Sequence, residues 1–388
     1  MSTQRAQHPE NTAGAGGSRP GEPGSRRAPE GRSIGDLGEF GLIAEMAARM
    51  RPGPGTVLGI GDDAAVLAAP DGRVVATTDF LLEGRHFRRD WAGPADIGHR
   101  AAARSLADIA AMGAVATALL VAFAAPSDLP AAWALAVAEG LAAECARADA
   151  SVAGGDVAQF GTVLLAVTGL GDLQGRSPVT RSGARPGDVV AVAGPLGRSA
   201  AGLALLEAGV AVPLADPSRP GEGPPPGDGA AAGEIAGLVR AHLRPAPPYD
   251  AGPEAATLCA TAMIDVSDGL LADLGHIADA SRVAIDVRTA ALDTAPLESA
   301  ARTLATRALP ASARPPAGRT AGAAAADGAA AALDWALTGG EDHSLVATFP
   351  PGMPLPARWS VIGAVRDGRG VLVDGQPHPG DPGWDHFR

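Results

Sequence analysis

The chain has 388 residues, with 31 basic side chains against 43 acidic ones and a formal charge of -12, and every one of those basic residues is an arginine. Without lysine there is no P-loop, whose lysine reaches the terminal phosphates, and no Schiff-base chemistry. The negative surplus also excludes nucleic acid and an acidic membrane surface as expected partners, because both are held through a basic footprint.

Hydrophobic residues make up 46% of the chain but aromatics only 3%, so the core is expected to pack small side chains tightly. Residues 1–33 are Gly, Pro, Ser, Arg and Glu with little to bury, and are expected to form a disordered tail without a signal peptide. An apolar-periodic helix opens near Gly38 and ends at Pro52 and Pro54. Short β-branched runs at 56–60, 73–78, 117–123, 151–153 and 162–170, with helical patterns at 97–112 and 131–148, predict an N-terminal α/β domain over 34–175. A second set predicts a C-terminal domain over 176–388: strands at 188–193, 262–266, 283–287 and 360–365, and helices at 199–208 and 270–280. Stretches near 214–232 and 311–330 carry no period and read as flexible surface insertions. Cys145 and Cys259 are too few for a disulfide framework, and the longest apolar run, 118–125, is far short of a bilayer span. A soluble, cytoplasmic protein is expected.

The aspartates carry the chemical signal. Asp62 and Asp63 sit in Gly59-Ile60-Gly61-Asp62-Asp63, where a plain turn is the bland alternative. Asp79 closes the predicted strand at 73–78, and a carboxylate there needs a cation or several donors. Asp108 lies four residues after Arg104 on a helix, so an ordinary ion pair competes with a functional role. Asp156 follows Gly154-Gly155 at a predicted strand end, where glycine lets backbone approach a ligand. Asp265 lies inside an apolar strand, with Ser267 and Asp268 after it as a candidate helix N-cap and first-turn acid. Oxygen donors at strand ends and helix faces suit hard divalent cations shared with substrate phosphates, which points to a phosphate-handling enzyme. Metal ions would also let an acidic, lysine-free chain hold polyphosphate.

Taken in order, Gly38-Glu39-Phe40, Gly59 to Asp63, Thr77-Thr78-Asp79, His86-Phe87, Asp108 to Gly113, Gly154-Gly155-Asp156, Thr180 to Asp188, His242 to Pro245, Ile264 to Leu270, Gly339-Gly340-Glu341-Asp342 and Trp384 to Phe387 resemble the thiamine-monophosphate kinases. The resemblance implies a two-domain aminoimidazole-ribonucleotide-synthetase-like α/β fold, each domain a mixed sheet packed with helices, in a homodimer. It implies ATP and thiamine monophosphate as substrates, several Mg²⁺ ions as cofactor, and direct in-line transfer without a covalent nucleophile. Asp63, Thr77, Thr78, Asp79, Asp108, Asp156, Asp265 and Asp268 would hold the metals. Asp63, Gly155, Asp156, Arg181 and Ser267 would contact ATP, and His86, Glu341 and Trp384 would line the acceptor site. The alternatives are another ATP-dependent synthetase or maturation factor of the same superfamily, and a non-catalytic nucleotide-binding regulator. His86 as a surface histidine, Glu341 as a turn acid and Trp384 as a C-terminal anchor are the competing structural roles.

Overall fold

The computed structural model of the chain describes residues 31–60, 64–210, 229–307 and 321–384. The first helix, α1 (Ile34–Ala47), starts earlier than Gly38 because Ser33 and Asp36 form a capping box: Ser33 Oγ accepts from the Asp36 amide at 3.1 Å and Asp36 accepts from the Ser33 amide at 2.8 Å. Gly38, at φ 66°, kinks the helix. A small hairpin follows, β1 (Thr56–Leu58) with β2 (Val66–Leu67), and then β3 (Val75–Leu82), α2 (Pro94–Ala111), β4 (Val115–Ala125), α3 (Ala131–Arg147), β5 (Ser151–Gln159) and β6 (Leu164–Asp172). Strands β3, β6, β4 and β5 form a four-stranded sheet in that order, antiparallel except for β5 beside β4.

The small residues foreseen from composition decide how the helices pack. A Cβ on Gly98 of α2 would meet the Val137 carbonyl at 2.0 Å, and one on Gly140 of α3 would meet the Ala95 carbonyl at 2.1 Å. The two backbones therefore touch at their crossing, and α2 lies pressed between α3 and the sheet.

The remainder comprises β7 (Val189–Ala193), α4 (Arg198–Glu207), α5 (Gly229–Leu243), α6 (Ala251–Thr257), β8 (Ala262–Val266), α7 (Leu270–Ser281), β9 (Ala284–Val287), α8 (Glu298–Arg307), α9 (Ala321–Thr338), β10 (Ser344–Phe349), β11 (Trp359–Arg366), β12 (Gly370–Val373) and β13 (Gln376–Pro377). Its seven-stranded sheet has the order β13-β12-β9-β11-β7-β10-β8 and is mixed, with β12 parallel to β9. Helix α2 also packs against β8, β10, α5 and α6, so one helix joins both sheets.

Three elements differ from the sequence reading for identifiable reasons. Strand β10 is buried along its whole length between β7 and β8, so its apolar residues do not alternate. Helices α5 and α9 begin at Gly229 and Ala321, inside stretches read as aperiodic insertions, because alanine favours helix without marking a face. The remainder of those two insertions, and almost all of the expected tail, lie outside the described residues. Among the described residues no helix is long and apolar enough to cross a membrane.

Candidate active site

Strand β3 runs three residues past Asp79, so Asp79 is a mid-strand residue rather than a strand end. Alternation along β3 turns Thr77, Asp79 and Leu81 inward toward α2 and leaves Ala76, Thr78 and Phe80 on the outer face. On the inner face Ser105 Oγ donates to Asp79 at 2.9 Å, and Thr77 Oγ1 donates to Asp108 at 2.6 Å. Asp265 reaches the same seam from β8 and pairs with Nδ1 of His343 at 3.1 Å. Burial, then the charges of Asp265 and Asp79, push the Asp108 carboxyl up to about 7. Carboxylates from both sheets thus crowd one another across the seam, although among the described residues no three acid, histidine or cysteine groups close around a metal site by themselves.

Arginines from α2 and an acid from the loop before β10 lie beside this crowd. Glu341 accepts from Arg100 at 2.9 Å and from Arg104 at 2.6 Å, and Arg104 also stands 3.8 Å from Asp79. The ion pair expected between Arg104 and Asp108 gives way to these longer-range partners, because both guanidiniums point across the seam. Burial opposes the Glu341 charge, but the two arginines hold its carboxyl well below the usual range. His343 is likewise disfavoured as a cation by burial, yet Asp265 and Glu341 raise it to about 9.

The loop is held in a costly shape. Glu341 and His343 have φ of 64° and 52°, a left-handed region that side-chain-bearing residues rarely adopt. The Glu341 amide donates to the Ser267 carbonyl at 2.8 Å and the His343 amide to Val266 at 2.9 Å. Between them, Asp342 accepts from the Gly197 and Ser199 amides at 2.5 and 2.8 Å, capping α4.

A pocket of about 380 Å³ opens next to the seam, and His86, Glu341, Trp384, Ser267 and Arg100 all line it. His86 Nδ1 accepts from the Leu82 amide at 3.0 Å. Trp384 exposes 59% of its surface, carries the Arg85 guanidinium 5.7 Å above its ring, and donates its amide to the Asp268 carbonyl at 2.9 Å. Deeper in, His242 Nε2 accepts a hydrogen bond from Arg100 at 3.3 Å, and its Nδ1 pairs with Ser199 at 3.0 Å. Burial and the Arg100 charge push His242 down to about 3.

Ser267 is not a helix cap: the N-cap of α7 is Gly269, and the amides of Ser267, Asp268 and Gly269 all donate to Asp273 at 3.0 to 3.1 Å. Burial, then Asp265 and Asp268, push Asp273 up to about 8, which puts Asp268 at the rim of the acidic group.

Other expected site residues lie apart from the inner cluster. Thr78 faces outward and takes a bond from Thr168 at 3.2 Å. Gly155 and Asp156 are in the middle of β5, not at a strand end, and three strand spacings, about 14 Å, separate that row from Asp79. Register puts Asp156 on the outer face with Ala122, Ala166 and Phe80. Gly155 meets a structural demand of its own, since a Cβ there would lie 1.9 Å from the Val121 carbonyl of β4. Arg181 is exposed, in the segment whose Thr180 carbonyl pairs beside β8. Asp62 and Asp63 lie outside the described residues.

Sequence reasoning missed Arg100, Arg104 as a partner of Glu341, His343 and Asp273. Arg100, Arg104 and Asp108 share the i, i+4 spacing of one helix face, which is the signal that was available.

The sequence and the fold are similar to those of known proteins. The family model described as AIR synthase related protein, N-terminal domain, matches residues 61–173. A thiamine-monophosphate kinase of Mycobacterium tuberculosis is 44% identical over 366 residues, 93% of this chain and 95% of that protein. The crystal structure of thiamine-monophosphate kinase from Stenotrophomonas maltophilia K279a superposes with a TM-score of 0.67 at 32% identity, over 87% of this chain and 96% of that one. The structure of AaThiL complexed with AMPPCP and TMP superposes with a TM-score of 0.65 at 29% identity, over 91% and 98%. The chain belongs to the thiamine-monophosphate kinase family.

Proposed function

We propose that the chain transfers the γ-phosphoryl group of ATP to thiamine monophosphate, giving ADP and thiamine diphosphate. The observation that carries this reading is the adjacency of a carboxylate crowd, Asp79, Asp108 and Asp265, to the pocket of His86, Glu341 and Trp384. An analogue of ATP and a ligand written TMP share the related complex, which supports the same pairing of substrates.

The carboxylates fit Mg²⁺: they are oxygen donors, and burial followed by their mutual repulsion raises Asp108, a penalty that a cation would relieve. Asp79, Asp108 and Asp265, with Thr77, Asp268 and the expected Asp63, would hold it, whereas Thr78 and Asp156, on the opposite face of the sheet, would serve a separate ion. Bound there, Mg²⁺ supplies counter-charge to the two polyanions that must meet. Gly155, Asp156, Arg181 and Ser267 would hold the nucleotide. Trp384 and His86 would orient the acceptor, while Glu341 keeps Arg100 and Arg104 aligned on its phosphate side. The acceptor phosphate is already anionic, so the reading needs no strong base and no phosphoenzyme, and the transfer is direct and in line.

The reading also takes the chain as a homodimer joined through the outer face of the four-stranded sheet. Phe80 is 58% exposed there, and with Ala166 and Ala122 it makes an apolar stretch, bounded by Asp156 at the end of the row, suited to a second copy of itself.

The test is a coupled ADP-release assay. ADP release that requires both thiamine monophosphate and Mg²⁺ is expected. Release without the acceptor would favour a synthetase-like reading, and label from γ-labelled ATP left on the protein would overturn direct transfer. Trp384→Ala is expected to raise the acceptor KM more than the ATP KM.

A further inference from the structure

We propose that His343 is a positioning residue that fixes the spacing between Asp265 and Glu341, so that Mg²⁺ on the donor side and the acceptor in the pocket bind cooperatively. The inference rests on the function proposed above and adds a residue and a coupling to it.

Three observations carry it. First, the ring spans the two sites: Nδ1 lies 3.1 Å from the Asp265 carboxylate and Nε2 lies 3.7 Å from that of Glu341. Second, the nitrogen that faces Glu341 has no structural partner of its own. The side chain is 2% exposed, and its Nε2 is a buried polar atom without a hydrogen bond. Third, the backbone is clamped into this pose. The two left-handed residues flank Asp342, whose carboxylate is fixed on the amides of Gly197 and Ser199. The loop therefore delivers Glu341 and His343 as a unit.

The 3.7 Å gap is within reach of charge but beyond a hydrogen bond. A small closure of the pocket around the acceptor completes that bond, and through the rigid ring it braces Asp265. By linkage, a cation that orders Asp265 must tighten acceptor binding by the same factor.

Calorimetry tests this, with thiamine monophosphate titrated into protein plus AMPPCP, with and without Mg²⁺, and Mg²⁺ titrated with and without thiamine monophosphate. In the wild type each ligand is expected to tighten the other by about tenfold. His343→Phe keeps the ring volume but leaves the buried Asp265 carboxylate without its partner, so it is expected to melt below the wild-type temperature and to cut the coupling below twofold. His343→Asn keeps an amide near the Nδ1 position and is expected to retain Mg²⁺ affinity. His343→Gln reaches the Nε2 position and is expected to retain acceptor affinity, and both lose the coupling. Wild-type coupling in folded His343→Phe overturns the inference, as does a uniform loss of both affinities with coupling intact. If the Phe variant does not fold, wild-type coupling in the Asn and Gln variants overturns it. A wild-type protein that fails to phosphorylate thiamine monophosphate overturns the proposed function instead.

Discussion

Replacing Glu341 with glutamine removes one charge and leaves the shape almost unchanged. Two guanidiniums lose their anion: Arg100 at 2.9 Å, which is 6% exposed, and Arg104 at 2.6 Å, which is 11% exposed. The glutamine oxygen can keep one of the two bonds, but its amide then faces the other guanidinium, donor against donor. Removing one partner of a buried pair costs about 3–5 kcal/mol. Glu341 is itself a quarter exposed, and Asp79 still neutralises part of Arg104, so the lower end applies, about 3 kcal/mol. For a domain of this size each kcal/mol shifts Tm by roughly 2–4 °C, which gives a fall of about 6–12 °C in differential scanning calorimetry. Because Arg100 and Glu341 line the pocket, the acceptor KM is expected to rise by about tenfold, or 1.4 kcal/mol, with the ATP KM within twofold. A Tm within 2 °C of wild type together with an unchanged acceptor KM would refute the idea that Glu341 organises this corner.

The remaining expectations concern the acids, pH and assembly. Asp265→Asn and Asp79→Asn should each abolish turnover while circular dichroism stays native, and wild-type rates in both would remove these carboxylates from the metal site. His242 has a folded pKa of about 3 against 6.5 unfolded, so its contribution is fully present above pH 6.5 and is lost as pH falls toward 3. At pH 5 the unfolded chain has gained the proton and the folded chain has not, a loss of about 2 kcal/mol, which His242→Gln should abolish from the Tm profile between pH 7.5 and 5. Phe80→Asp should shift sedimentation from dimer to monomer, and an unshifted boundary would place the interface elsewhere.

How much of this could be read from residues alone varies along the chain for physical reasons. Helices α2, α3 and α7 stand out because one face of each carries a clear period. Strand β10 hides because burial on both faces erases alternation, and α9 hides because an alanine run is helical without being amphipathic. In the site, Asp79, Asp108 and Asp265 were legible since a carboxylate in an apolar setting demands an explanation. Arg100 and Arg104 were not, because a helix arginine is satisfied locally by default and their real partner is 241 and 237 positions away. Thr78 and Asp156 came in with the inner acids through the family resemblance, and strands read as shorter than they are did not show the face on which each side chain falls.

The close crossing of α2 and α3 at Gly98 and Gly140 gives the carboxylate seam an adjustment that lies outside its charged side chains. Helix α2 carries Arg100, Arg104, Ser105 and Asp108 as one rigid rod, and its height above the opposite sheet is set by two missing methyl groups. A single added carbon at either glycine would act as a shim, lifting the rod and detuning every one of these contacts in the same direction. Variation in turnover among close relatives is therefore to be sought at this crossing as well as among the charged residues themselves.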